Sequence, residues 1–106
     1  MRPSEILSKA ADLIETVGAW TQLSYARTSE NKPVFWDDAQ ASCFCVEGAL
    51  AKIAGGRARS FVARRYLQDI TQRDIVFWND HPKRTQAEVV AALRKAASLA
   101  AEKESV

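Results

Sequence analysis

Two cysteines, one histidine and an Asn-Asp pair are the residues whose types invite chemistry in this chain. Cys43 and Cys45 are separated by one residue, and a bridge between them would close a small, strained loop that stabilises little. A zinc site needs about four ligands, and His81 is the only further soft ligand. In a regular helix, side chains two positions apart diverge by about 200°, so both thiols cannot face one ion. The expectation is two free thiols packed at or near a core, with no metal and no cofactor. His81 precedes Pro82 and reads as a surface-loop residue, since no spacing brings it to a cysteine or serine nucleophile. Asn79 and Asp80 follow an apolar run. They either project into a pocket or form an Asx turn that directs the chain into the last helix, the commoner use of such residues. Trp78 reads as a core anchor. The carboxylate pair Asp37-Asp38 is explained by helix capping. Gly55-Gly56 before Arg57 and Arg59 lacks the spacing of a nucleotide-binding loop and reads as a helix stop.

The strongest charge signal is a basic stretch. Lys52, Arg57, Arg59, Arg64 and Arg65 lie between Glu47 and Asp69 with no acid among them. A net charge of +2 overall, with +5 in this stretch, leaves −3 for the remainder. Such a patch suits nucleic-acid phosphates, with salt-sensitive binding. The plainer reading is a solvated helix face that pairs with the acidic remainder. Base-reading side chains are sparse, Gln68 and Gln72 being the nearby candidates.

These groups need elements to position them. Pro3 suits a first helical turn, and Leu7, Ala10, Ala11, Ile14 and Val17 share one face of a helix over residues 3–17, with Gly18 as its left-handed stop. Residues 19–36 carry Trp20, Tyr25, Val34, Phe35 and Trp36 around a polar turn at 28–33, which predicts a small hairpin or an ordered loop. Asp37 or Asp38 is expected to cap a helix running to Ala54, with Ser42, Cys43, Val46, Ala49, Leu50 and Ile53 on its inner face and Phe44 pointing away. A third helix is expected over 58–70, with Val62, Ala63, Tyr66 and Ile70 inward and Phe61 and Leu67 outside that stripe. Ile75-Val76-Phe77-Trp78 is too short to choose between strand and extended loop. Thr85 and Glu88 form a capping box for a last helix striped by Val89, Val90, Leu93, Ala96, Ala97 and Ala100, with fraying expected from Glu102 to Val106.

The expected architecture is therefore mainly α: about four helices around one core, with a small β-hairpin or extended aromatic element. One domain is expected over 1–106, ordered from about 3 to 101. Hydrophobic residues at 47% and charged residues at 26% exclude a disordered chain. No apolar run approaches the roughly 18 residues needed to cross a bilayer, so no membrane partner is expected. The N-terminal residues lack the order of a secretory signal, which gives a cytoplasmic address.

Gly18, Trp20 and Gln22, then Cys45, Gly48, Ala49 and Leu50, then Trp78, Asn79, Asp80, Thr85, Glu88 and Val89 form a spaced set. In this set the chain resembles a family of small bacterial and phage proteins known as a domain of unknown function. One departure is Ala19, which stands between Gly18 and Trp20 where the family pattern places glycine directly before tryptophan. The resemblance implies kinship of fold and a bacterial or phage setting, and no activity. It singles out Trp20, Gln22, Trp78, Asn79 and Asp80 as a candidate shared pocket for a ligand.

Three functions compete. The first is a binding, adaptor or regulatory module that contacts another protein or a second copy of the chain, motivated by Phe44 pointing away from the predicted stripe. The second is a nucleic-acid-binding regulator using Lys52, Arg57, Arg59, Arg64 and Arg65. The third is a small enzyme built near Asn79 and Asp80, with His81 or Cys45, and it ranks last because no nucleophile, base and orienting group can be assembled from the spacing.

Overall fold

The computed structural model describes residues 1–105. In chain order it contains α1 (Pro3–Glu15), β1 (Ala26–Thr28), β2 (Pro33–Val34), β3 (Ala41–Phe44), α2 (Val46–Ala54), α3 (Phe61–Thr71), α4 (Ile75–Asn79) and α5 (Gln86–Glu104). The fold is mainly α with a small three-stranded antiparallel sheet, as expected.

α1 and α5 form the main helical layer and make the most extensive contact in the molecule. α1 contributes Ile6, Leu7, Ala10, Ala11 and Ile14 to the interior, and α5 contributes Val89, Ala92, Leu93, Ala96, Ala97 and Ala100. The alanines let the two backbones approach closely, and their ends are tied. Near the end of α5, the Glu104 carboxylate accepts from Ser4 N at 3.1 Å and Ser4 Oγ at 2.5 Å. These bonds lower the Glu104 pKa from the ordinary carboxyl value. At the other end, Gln86 Nε2 donates to the carbonyls of Ile14 and Thr16 at 2.6 and 2.8 Å, satisfying acceptors that the end of α1 leaves open. The Thr85–Glu88 capping box is formed. α5 runs to Glu104, and the Glu104–Ser4 clasp ties its last turn to α1. Val106 lies outside the described residues.

The sheet has the order β2-β1-β3, with Ala26 opposite both Val34 and Phe44. Pro33 lies in the outer strand β2, where its missing N–H breaks no ladder. Thr28 Oγ1 accepts from Glu30 N and Lys32 N, and Asn31 takes the left-handed conformation that closes the turn.

Five sequence expectations are corrected. The helix predicted from Asp37 or Asp38 begins at Val46, and residues 41–44 are strand β3. Asp38 instead accepts from Gln40 N at 2.7 Å in a turn. Phe44, expected to point outward from that helix, is buried, and its backbone joins the chain at Ala19 and Thr21. Residues 75–78 are neither strand nor loop but a short helix, capped by Asp74 Oδ1, which accepts from Val76 N and Phe77 N. In α3, Leu67 is buried with Ala63, and Val62 is exposed, because the helix turns its Ala63–Leu67 edge inward. Val17, placed on the inner stripe of α1, lies beyond the helix and is exposed.

The sheet meets the helical layer at Gly48. Cys45 N donates to Tyr25 O at 3.1 Å, and a Cβ on Gly48 would collide with that same carbonyl. Gly48→Ala should therefore destabilise the fold by about 2 kcal/mol or more, since overpacking against backbone has no side chain to yield. Urea unfolding would measure it, and a loss below about 0.5 kcal/mol would show that the strand can retreat without cost.

Candidate functional site

Four of the five residues singled out as a candidate pocket meet around one side chain. Asn79, at the end of α4, is completely buried. Its Oδ1 accepts from Trp20 Nε1 at 2.8 Å and from Val46 N, at the start of α2, at 3.1 Å. Its Nδ2 donates to Thr21 O at 3.2 Å and to Asp80 Oδ1 at 2.9 Å. Gln22 Nε2 donates to the carbonyls of Asn79 and His81, and Asp80 Oδ1 accepts from Leu23 N at 2.9 Å. Trp20 Nε1, Gln22 Nε2, both polar atoms of the Asn79 amide and Asp80 Oδ1 are thus spent on one another and on backbone. Trp78 stands apart. It packs on the core, and the Arg84 guanidinium covers its ring at 4.1 Å while Arg84 Nε donates to its carbonyl.

A hollow of about 250 Å³ beside this corner is lined by Leu23, Ser24, Tyr25, Cys45, Val76 and Asp80. Asp80 is the member of the candidate group that reaches it. Cys45 is buried and acts as the N-cap of α2, its Sγ accepting from Gly48 N at 3.3 Å. Loss of solvent pushes its thiol pKa up to about 11, only partly countered by backbone bonds from Gly48 and Glu47. A thiol so held is a structural acceptor, not a nucleophile poised at neutral pH. Cys43 lies on β3, and its Sγ is 3.7 Å from Arg27 O. Both cysteines are free, and they flank the strand end instead of sharing a helix as expected. His81 is exposed, with Nδ1 accepting from Lys83 N at 3.1 Å in the turn before α5.

The basic stretch divides. Lys52, Arg59 and Arg65 are exposed. Arg57 and Arg64 converge on Glu47, which is 5% exposed: its Oε1 accepts from Arg57 Nε at 3.1 Å, Arg57 Nη2 at 3.0 Å and Arg64 Nη1 at 2.9 Å. Burying a carboxylate is costly unless it is paired and hydrogen-bonded, and two guanidiniums meet that need. Reading the stretch from the residue after Glu47 missed this partner. The helical spacing of ten and seventeen residues gives no local sign of it.

Two expectations follow. Asn79→Ala removes the acceptor shared by Trp20 Nε1 and Val46 N, and should cost about 2–4 kcal/mol in urea unfolding, against about 1 kcal/mol for Gln22→Ala. Equal losses would mean the amide is not the centre of the corner. For the thiols, the raised pKa of Cys45 means its contribution to stability is complete below the unfolded value of 9.0 and is lost as pH rises toward about 11. In the folded protein Cys45 should resist a thiol reagent at pH 8 and react on unfolding in urea. Prompt modification of Cys45 in native protein would contradict its burial.

No curated protein and no solved structure matches the chain. A family model does match residues 1–99, described as a family of unknown function. That span takes in every helix and strand but the last turn of α5, and with it the whole Asn79 corner and the Glu47 cluster. The chain therefore belongs to the family of unknown function DUF6197.

Proposed function

We propose that the chain is a small cytoplasmic binding or regulatory module of bacterial or phage setting that acts through protein–protein contacts on its α3–α4 side. The observation that carries this reading is Leu23. It is apolar, 76% exposed, and held at φ 66°. A left-handed conformation costs a leucine about 1–2 kcal/mol, and the Asp80 carboxylate that accepts from Leu23 N fixes it there. Exposed apolar side chains continue from it. Leu23 and Val76 line one hollow, and Phe77, 61% exposed, follows Val76 on α4. Phe61 lines the next cleft, over the buried Ile75, and Phe61 and Val62, each 51% exposed, share a third. This strip replaces Phe44, which is buried and cannot serve as the contact first assigned to it.

Exposed apolar side chains on neighbouring elements, with arginines beside them, suit a protein surface better than a polyanion. Nucleic-acid binding through Lys52, Arg57, Arg59, Arg64 and Arg65 is the second reading. It is favoured by the exposure of Lys52, Arg59 and Arg65 and weakened because Arg57 and Arg64 already share a carboxylate. No helix of the described residues is long and apolar enough to cross a membrane. The Asn79 amide and Asp80 Oδ1 are engaged with neighbouring side chains and backbone, which argues against catalysis on the amide.

A photo-crosslinking residue in place of Phe77, in host cells, should trap either a second copy or another protein, whereas the same residue in place of exposed Lys95 on α5 should not. Capture of nothing at position 77, or of the same products at both positions, would remove the α3–α4 face as the binding surface.

A further inference from the structure

The Glu47 cluster borders a cleft that its own residues leave unfilled. Arg57, Phe61, Arg64, Arg65, Gln68 and Asp74 surround a space of about 140 Å³, with Glu47 and Ile75 also on its wall. Drug-sized ligands occupy roughly 300–1,000 Å³, so this cleft takes a single functional group and not a whole metabolite. Its charge is unbalanced. Three guanidiniums face two carboxylates, and both carboxylates have other work: Glu47 Oε1 takes all the bonds from Arg57 and Arg64, and Asp74 Oδ1 caps α4. One positive charge is left over.

The hydrogen bonding is also incomplete. Arg64 Nε is a buried side-chain donor without a partner among the described residues. Native structures rarely leave such a donor unpaired. Nε is sealed from solvent, so with Nη1 on Glu47 it is the other terminal nitrogen of Arg64 that remains for an acceptor in the cleft. Phe61 adds an aromatic face to the same cleft, with the guanidiniums of Arg64 and Arg65 at 5.7 and 6.0 Å from its ring centre. A small acceptor-only anion that fits the space satisfies these conditions together.

We propose that this cleft binds the phosphate group of a small phosphate monoester, with Arg57, Arg64 and Arg65 on the phosphate oxygens and the organic part resting against Phe61. Guanidiniums match phosphate geometry, and several on one site are its usual recognition device. Asp74 at the rim opposes a dianion, so affinity for the bare group is expected in the millimolar range. The site is independent of the protein-contact reading, because it needs no second macromolecule and is tested on the isolated chain.

The test is an NMR titration of the intact chain with inorganic phosphate, phenyl phosphate and acetate, at ionic strength matched with sodium chloride. Saturable shifts of the backbone amides of residues 57–68 are expected with both phosphates, at least threefold tighter for phenyl phosphate, and none with acetate. Arg65→Gln, at an exposed side chain with no bond to Glu47, should leave the fold intact and weaken phosphate binding at least threefold. Arg57→Gln and Arg64→Gln, which also unpair Glu47, should weaken it at least threefold and tenfold in protein whose amide spectrum retains the native fold. Arg94→Gln, on α5, should leave it unchanged. Shifts no larger than those from sodium chloride, or insensitivity to Arg57→Gln and Arg65→Gln, would overturn the site. Inorganic phosphate binding as tightly as phenyl phosphate would overturn the monoester and the role of Phe61.

Discussion

A single buried carboxamide joins the parts of this molecule that are distant in sequence. Asn79 links the end of α4 to the Trp20–Leu23 segment and to the first turn of α2, and no other side chain type would serve all four bonds. Its oxygen takes two donors, and its NH₂ gives two hydrogens. An aspartate would lose both donations and add a buried charge beside Asp80, whereas a leucine would orphan every partner. A glutamine carries the same groups one methylene farther, into a space already filled by Val46 and Trp20. The corner therefore depends on hydrogen bonds that only asparagine completes, and the cost of an orphaned buried group, about 1–3 kcal/mol, is large against the stability of a small domain.

What the clasp holds is as consequential as what it satisfies. The Trp20–Leu23 segment bridges to Phe44 and passes directly into the sheet, so fixing it fixes the side of the sheet that faces α2. There the backbones of Tyr25 and Gly48 approach so closely that no side chain fits between them. Cys45 completes the junction, its sulfur capping α2 and its backbone pairing with Tyr25. The two chemistry-bearing groups that drew most attention, the Cys45 thiol and the Asn79 amide, are thus neighbours in one structural joint.

Much of this was legible in the sequence. α1, the 28–33 turn, the Gly55 stop and the Thr85 capping box each rest on local signals: periodic apolar residues, turn formers, a left-handed glycine and reciprocal capping side chains. The missed elements lack such signals or carry competing ones. Asp37-Asp38 mimics a helix cap and hid β3, whereas Cys45 is an uncommon cap whose clue is Gly48, the small residue three positions on. Asp74 before Ile75 is an ordinary cap, and weighing it would have converted the apolar run at 75–78 into α4. Of the candidate site, Trp20, Gln22, Asn79 and Asp80 were grouped by resemblance and do meet in space. Trp78 does not join their bonds, because on a one-turn helix adjacent side chains diverge by about 100°. Glu47 was invisible, since its partners lie in a following loop and helix whose packing angle no local pattern encodes.

The distribution of side-chain size explains why the recognition surfaces fall where they do. α5 meets α1 through alanines, a seam that closes on small volumes and is pinned at both ends by Glu104 and Gln86. α3 has a different balance: it sends only Ala63 and Leu67 fully inward and leaves Phe61 and Val62 outside. α4 has a single turn, so burying Ile75 and Asn79 necessarily turns Phe77 outward. The same short geometry places Asp74 and Ile75 against the Glu47 cluster, where Arg57 and Arg64 neutralise the carboxylate with one charge to spare. An apolar strip and an under-paired basic cleft thus share Phe61 at their boundary, both set by how little of α3 and α4 the core can accept.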